Sequence, residues 1–240
     1  MQLKQIYSIL DTLSPFSLQE SWDNSGLLVG EMDDDIQIVY LSLDVDSELL
    51  DEVEEKSLII THHPLIFKGL KRLDSSIYPS KLIKKMIQKD ISLISMHTNF
   101  DVTHLNRYVA EDVLGYRVTK CDGHVCYFDV DCSFSELSLH VKKSLNMDII
   151  RCVGEDKQIK KCAITTGSGG DMIGEVDADC YLSGDFKYHQ ALEAKENNLH
   201  LLDIGHYESE SHFPACLSKN LINFPLKAIM TNSKNPFRYK

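Results

Sequence analysis

Ten histidines are scattered along the chain, but Thr61-His62-His63-Pro64 sets two side by side, directly after the apolar run Ser57–Ile60. In extended backbone, neighbouring side chains point to opposite sides, so such a pair serves two ions more readily than one. Two further apolar runs end in the same kind of donor. ISLIS (91–95) leads into Met96-His97-Thr98-Asn99-Phe100-Asp101, and HLLDI (200–204) leads into Gly205-His206-Tyr207-Glu208-Ser209-Glu210. His206 and Glu210 stand four apart where a helix should begin, so both project from one face. Imidazole nitrogen with carboxylate oxygen suits Zn, Fe, Mn, Co or Ni, and the lack of a nearby cysteine argues against a structural thiolate site. Five such side chains exceed the needs of one tetrahedral ion and are too few to close two. Two ions roughly 3.5–4 Å apart, bridged by a carboxylate, account for the inventory, and open positions imply chemistry rather than scaffolding. Separate structural roles for the same residues are the competing reading.

Strands must carry these donors. VYLSLDV (39–45), SLIIT (57–61) and ISLIS (91–95) read as buried strands. Ser47–Glu55 and Pro79–Lys89 read as helices between them, the second with Leu82, Ile83, Met86 and Ile87 at helical spacing. This alternation predicts a mostly parallel α/β sheet, whose ligands bind beyond the carboxyl ends of the strands. The texture changes after Leu114-Gly115, a helix stop. VCYFDV (125–130), a helix from about Ser135, DIIRCV (148–153) and KCAITT (161–166) then suggest a second unit. After Gly167-Ser168-Gly169-Gly170 the alternation resumes with CYLS (180–183), a helix over Tyr188–Asn197, HLLDI, a helix over Glu208–Lys219 and LKAIM (226–230).

At 240 residues, 43% hydrophobic and 25% charged, the composition is that of a folded globular chain. A net charge of -11 repels phosphodiester backbones and anionic membranes, which counts against nucleic-acid binding. No apolar stretch approaches the roughly 20 residues needed to cross a bilayer, and MQLKQIYSIL lacks a signal-peptide layout. A soluble cytoplasmic protein is the expectation. Seven cysteines form no C-x-x-C pair and are expected to be reduced core residues.

Several residues carry two readings. His97 either passes a proton to substrate or holds a ligand in place. Asp185 reads as a helix N-cap ahead of His189, which is then a catalytic candidate. The Gly167–Gly170 turn either packs closely or offers N–H groups to an anion. Trp22, the only tryptophan, reads as a buried anchor, with the mouth of a cleft as the alternative. The acidic run at 31–35 reads as a solvated turn without EF-hand spacing.

Taken in order, Trp22-Asp23-Asn24-Ser25-Gly26-Leu27-Leu28-Val29-Gly30, the strand with THHP, His97-Thr-Asn-x-Asp101, the GSGG turn, Gly184-Asp185-x-x-x-His189 and Gly205-His206-Tyr207-x-x-Glu210 resemble the Nif-three-like dinuclear-metal family. Members of that family also go by the name GTP cyclohydrolase 1 type 2 homologues. The resemblance runs from about residue 5 to 235. It implies that His62 and His206 ligate one divalent metal, His63 and Asp101 ligate a second, and Glu210 bridges the two. It implies an α/β fold of two related three-layer units flanking a metal-containing cleft, the chain end returning to the first. Residues 1–118 and 200–240 are then expected in the first unit and 119–199 in the second. It further implies a homohexameric ring and a metal-dependent hydrolase acting on a nucleotide-like small molecule. A metal-organised regulatory oligomer without turnover is the alternative. Two departures stand out: 240 residues leave no room for the inserted domain of longer members, and Gln190 replaces the second histidine usual beside His189.

Overall fold

The computed structural model describes residues 1–231 and 233–238. In chain order the strands are β1 (Gly26–Val29), β2 (Ile38–Ser42), β3 (Ser57–Thr61), β4 (Ser92–Ser95), β5 (Val118–Asp122), β6 (Val125–Ser133), β7 (Arg151–Val153), β8 (Gln158–Ile164), β9 (Cys180–Ser183), β10 (His200–Asp203) and β11 (Ala228–Met230). The chain divides into two compact α/β units, Met1–Phe100 with Phe213–Lys234, and Asp101–His212 with Asn235–Lys240.

In the first unit the sheet order is β1-β4-β3-β2-β11. The neighbours β11/β2, β2/β3 and β3/β4 run parallel, and β1 alone is antiparallel, to β4. β3 and β4 are buried along their whole length, which is why they read as unbroken apolar runs rather than alternating ones. Helices cover the sheet with apolar stripes. Leu3, Ile6 and Leu10 form the stripe of the helix Leu3–Leu13, while the helix Ser80–Gln88 buries Leu82, Ile83 and Met86 and leaves Ile87 in solvent. Asp46 caps the helix Ser47–Glu52 by accepting the Leu49 N–H at 2.7 Å. Leu50, Ile59, Met86 and Leu93 meet in the core between these layers.

In the second unit the order is β5-β6-β8-β9-β10-β7, and only β8, β9 and β10 run parallel to one another. The mostly parallel pairing expected and found in the first sheet does not extend to this one. β5 and β6 are joined by Gly123-His124 alone, and so short a link makes only an antiparallel hairpin. The hairpin register puts Cys121 opposite Cys126, Cα atoms 4.1 Å apart, and the two form a disulfide. This corrects the expectation of uniformly reduced cysteines: a gap of five residues brings two thiols together only once the turn is fixed. Cys162, Cys180 and Cys216 are buried, whereas Cys152 is exposed. The helix Phe134–Ser144 begins where Ser133 and Glu136 form a reciprocal capping box. Ala163, Tyr181, Ala194 and Leu201 lie in this unit's core.

The units divide the chain elsewhere than the sequence suggests. Residues 101–118 and 200–212 were expected with the first unit, but β10 pairs with β9 on one side and β7 on the other, which fixes it in the second sheet. The expected helix over Glu208–Lys219 is two helices, His206–Glu210 and Phe213–Leu221, because Pro214 lacks the N–H needed to continue the first. Ahead of Gly115 (φ +79°) the chain coils through alternating α and π turns, Thr98–Phe100, Asp101–Leu105, Asn106–Tyr108 and Val109–Val113. No helix among the described residues is long and apolar enough to cross a membrane.

Candidate metal centre

In the first unit the side chains beyond the carboxyl ends of β2, β3 and β4 gather at one edge of the sheet. The backbone around the histidine pair is held from both sides. Ser95 Oγ donates to the His62 carbonyl at 2.6 Å, the His63 N–H donates to the Leu43 carbonyl at 3.1 Å, and Thr61 Oγ1 donates to the His63 carbonyl at 2.9 Å. His62 is buried, its ring 5.2 Å from that of Phe213. Its Nδ1 lies 2.9 Å from the Met96 carbonyl oxygen. A carbonyl only accepts, so Nδ1 carries the proton and Nε2 keeps its lone pair. The same device recurs at His63, whose Nδ1 meets Asp44 Oδ1 at 2.8 Å, and at His97, whose Nδ1 meets Asp23 Oδ1 at 2.8 Å. His62, His63 and His97 each offer a ring nitrogen within 4.8 Å of the others. Metal-ligating histidines are oriented in this way.

Asp23 is itself tightly bound. It also accepts the Thr98 N–H at 3.1 Å, Thr98 Oγ1 at 2.5 Å and Ser25 Oγ at 3.1 Å. Burial works against its ionisation, but the hydrogen bond and charge of His97, with the bonds from Thr98 and Asn24, outweigh it and hold the carboxyl well below the usual range. His97 is therefore backed by a fixed anion.

In the second unit His206 and Glu210 follow β10, Asp185 follows β9, and Asp101 lies in the helical stretch after β4. His206 opens the helix His206–Glu210, and its Nε2 lies 2.9 Å from Glu210 Oε2, the i,i+4 pairing expected from the sequence. His206 Nδ1 meets Asp185 Oδ2 at 2.8 Å, so this ring too turns Nε2 outward from its carboxylate partner. Glu210 is buried against Gly167, where a Cβ would overlap Oε1. Asp101 is the first residue of a π turn, a distortion common at functional sites. Its Oδ1 lies 3.4 Å from Thr166 Oγ1, and its carbonyl accepts Asn106 Nδ2 at 3.1 Å. Asn106 in turn accepts the Thr166 N–H at 2.7 Å, which locks the π turn to the end of β8.

Each unit thus holds candidate ligands of the expected kind, and the donor set, imidazole lone pairs fixed outward beside buried carboxylates, fits a divalent transition metal. Other sequence readings change. Asp185 is not an N-cap: it sits at φ +58° and binds His206, while Lys187 occupies the N-cap position of the helix Tyr188–Glu196 and its N–H donates to Gln190 Oε1 at 2.9 Å. Gln190 takes part in that cap and also donates to Asp171 at 2.8 Å. His189 is exposed with its ring at the edge of Tyr188, and among the described residues it belongs to no group of convergent donors. At the glycine turn the Gly167 and Gly169 N–H groups donate to Ser209 and Ser183, so the turn packs closely instead of presenting them to an anion. Trp22 is exposed rather than buried.

Sequence reasoning missed Asp44 as a partner altogether and gave Asp185 the wrong role. The only cue in the sequence was position, each standing two residues past a strand, β2 or β9; that this strand runs parallel beside the one delivering the histidine is visible only in the fold. Replacing either by alanine frees an imidazole to turn and lowers its basicity. Asp44→Ala and Asp185→Ala should each weaken metal binding about 10–100-fold. Competition titration against a chromogenic chelator measures this, and wild-type affinity in both variants would show that these contacts position nothing.

Comparison with known proteins identifies the family. The Duf34/NIF3 (NGG1p interacting factor 3) family model matches residues 1–236. A Campylobacter jejuni protein named GTP cyclohydrolase 1 type 2 homolog is 57% identical over 100% of both chains. A Helicobacter pylori protein named GTP cyclohydrolase 1 type 2 is 39% identical over 98% of both. The crystal structure of Staphylococcus aureus protein SA1388 superposes with a TM-score of 0.91 at 31% identity, covering 100% of this chain and 99% of that one. The chain belongs to the Duf34/NIF3 family.

Proposed function

We propose that His62, His63, Asp101, His206 and Glu210 hold two divalent metal ions, and that the protein is a cytoplasmic, homohexameric hydrolase acting with water on a nucleotide-like small molecule. In this reading His62 and His206 serve one ion, His63 and Asp101 the other, and Glu210 both. The observation that carries it is the orientation of the rings: His62, His63 and His206 each have Nδ1 on an oxygen, which leaves Nε2 for a metal, and His97 is anchored in the same way. Bound divalent ions supply acidity to water and positive charge against a substrate oxygen.

The chain's own residues do the rest. Asp44 and Asp185 hold their histidines in one orientation and keep them basic. His97, anchored through Nδ1, has Nε2 placed to accept a proton from water or return it to a leaving group. The name of the Helicobacter pylori relative supports a guanine nucleotide as substrate. Protein loaded with Zn, Mn, Fe, Co or Ni in turn and incubated with GTP should release formate, the carbon lost on opening the imidazole ring. Orthophosphate instead would move the reaction to the phosphate chain, and neither product with any metal would overturn the hydrolase reading.

A further inference from the structure

Trp22 is the chain's only tryptophan and is 58% exposed. Phe67 is 42% exposed, and the two ring centroids lie 5.9 Å apart. Both rings meet His97 edge-on, at 6.2 and 6.3 Å. The pair is held in place by its neighbours. Asp23, next to Trp22, is bound to His97 and Thr98, and Asn24 Nδ2 donates to the Ile66 carbonyl, next to Phe67, at 2.5 Å. Two large rings are thus kept in water beside a histidine cluster by half-buried hydrogen bonds, a cost that points to a partner for their faces.

A second feature adjoins them. Residues 67–78 are all exposed and without helix or strand, a long loop of the kind usually kept for binding. It carries Lys68, Lys71 and Arg72, with no carboxylate from Thr61 to Leu73, in a chain whose net charge is -11. None of the three is in an ion pair with a described carboxylate. Unneutralised cations in the loop that begins at Phe67, with two exposed aromatic rings at its start, match a flat heteroaromatic ring that carries phosphates.

We propose that Trp22 and Phe67 form the stacking platform for the base of a nucleotide, and that Lys68, Lys71 and Arg72 hold its phosphates. The assignment rests on the nucleotide hydrolase reading, since it places the base beside His97. Stacking reads ring faces and not edges, so purines should bind better than pyrimidines, with little discrimination between guanine and adenine.

Because Trp22 is the sole tryptophan, its emission reports on this site alone. Full-length protein, metal-loaded and chelator-treated, is titrated with GTP, ATP, guanosine and inorganic tripolyphosphate. GTP and ATP should quench saturably in both forms, and tripolyphosphate should compete without quenching. Phe67→Ala should weaken GTP and guanosine alike by about tenfold. The triple variant Lys68→Ala, Lys71→Ala, Arg72→Ala should weaken GTP by at least about tenfold, flatten its salt dependence and leave guanosine unchanged. Metal content should stay at the wild-type level in every variant, which separates this platform from the ligand set. No saturable quenching by GTP or ATP, or wild-type GTP affinity in both variants, would overturn the platform even if turnover is found.

Discussion

Glu210→Gln should leave the protein folded and empty of both metals, a loss of affinity above the roughly 100-fold typical of a supporting residue. Its carboxylate is 3% exposed and lies 2.9 Å from His206 Nε2. Gln has the same shape and can donate to that nitrogen, so packing against Gly167 survives while the negative charge goes. Removing a buried charge whose counter-ions would be the proposed metals should not lower the thermal midpoint of metal-free protein. Two equivalents of metal per wild-type chain, and their joint disappearance in the variant, are what elemental analysis should find. A variant that keeps one ion would show that Glu210 serves a single site, and one that keeps both would remove it from the ligand set. Measuring the oligomer alongside separates the two roles weighed for the metals. Intact assemblies without turnover fit catalysis, and assemblies that fall apart in a protein never found to turn over substrate fit an organising role.

The second large effect is on folding. Gly184→Ala should cost about 3 kcal/mol, the upper end for overpacking, and lower the thermal midpoint by roughly 6–12 °C. A Cβ at Gly184 would lie 2.6 Å from the His206 nitrogen and 2.7 Å from both the Gly167 oxygen and the Gly205 carbonyl carbon. All three are backbone atoms, so no rotamer change relieves the overlap, and the Gly184 N–H bond to the Gly167 carbonyl at 2.7 Å holds the turns together. Gly174→Ala is the control, since the nearest atom its Cβ would meet is the far end of the Glu193 side chain at 3.9 Å and the site is exposed. Calorimetry of the two variants decides the matter: equal midpoints would mean that the glycine turns can spread at no cost. Because His206 and Glu210 start from the same turn, Gly184→Ala should also weaken metal binding in the fraction that remains folded.

Much of the local structure was legible in the residues. Buried runs such as Ser57–Thr61 and Ser92–Ser95 announce strands because burial on both faces demands continuous apolar side chains. The donors that follow them, His62, His63, His97 and His206, lie at strand ends because the apolar run simply stops there. What a residue meets across the sheet was not legible. Asp44 faces His63 only because β2 is hydrogen-bonded beside β3, and Asp185 faces His206 only because β9 lies beside β10. Strand order leaves no mark on periodicity.

The sequence by itself determined the kinds of element, the donors at their ends and the family, since these depend on residue type and short-range spacing. Tertiary structure decided which oxygen fixes each imidazole, that Cys121 and Cys126 pair, that β10 belongs to the second sheet and that Trp22 stays in solvent. Each of those outcomes needs two segments distant in the chain, or the two sides of a turn, to be brought to within a few ångströms. That proximity is set by the summed packing of whole layers, which no single stretch of residues encodes.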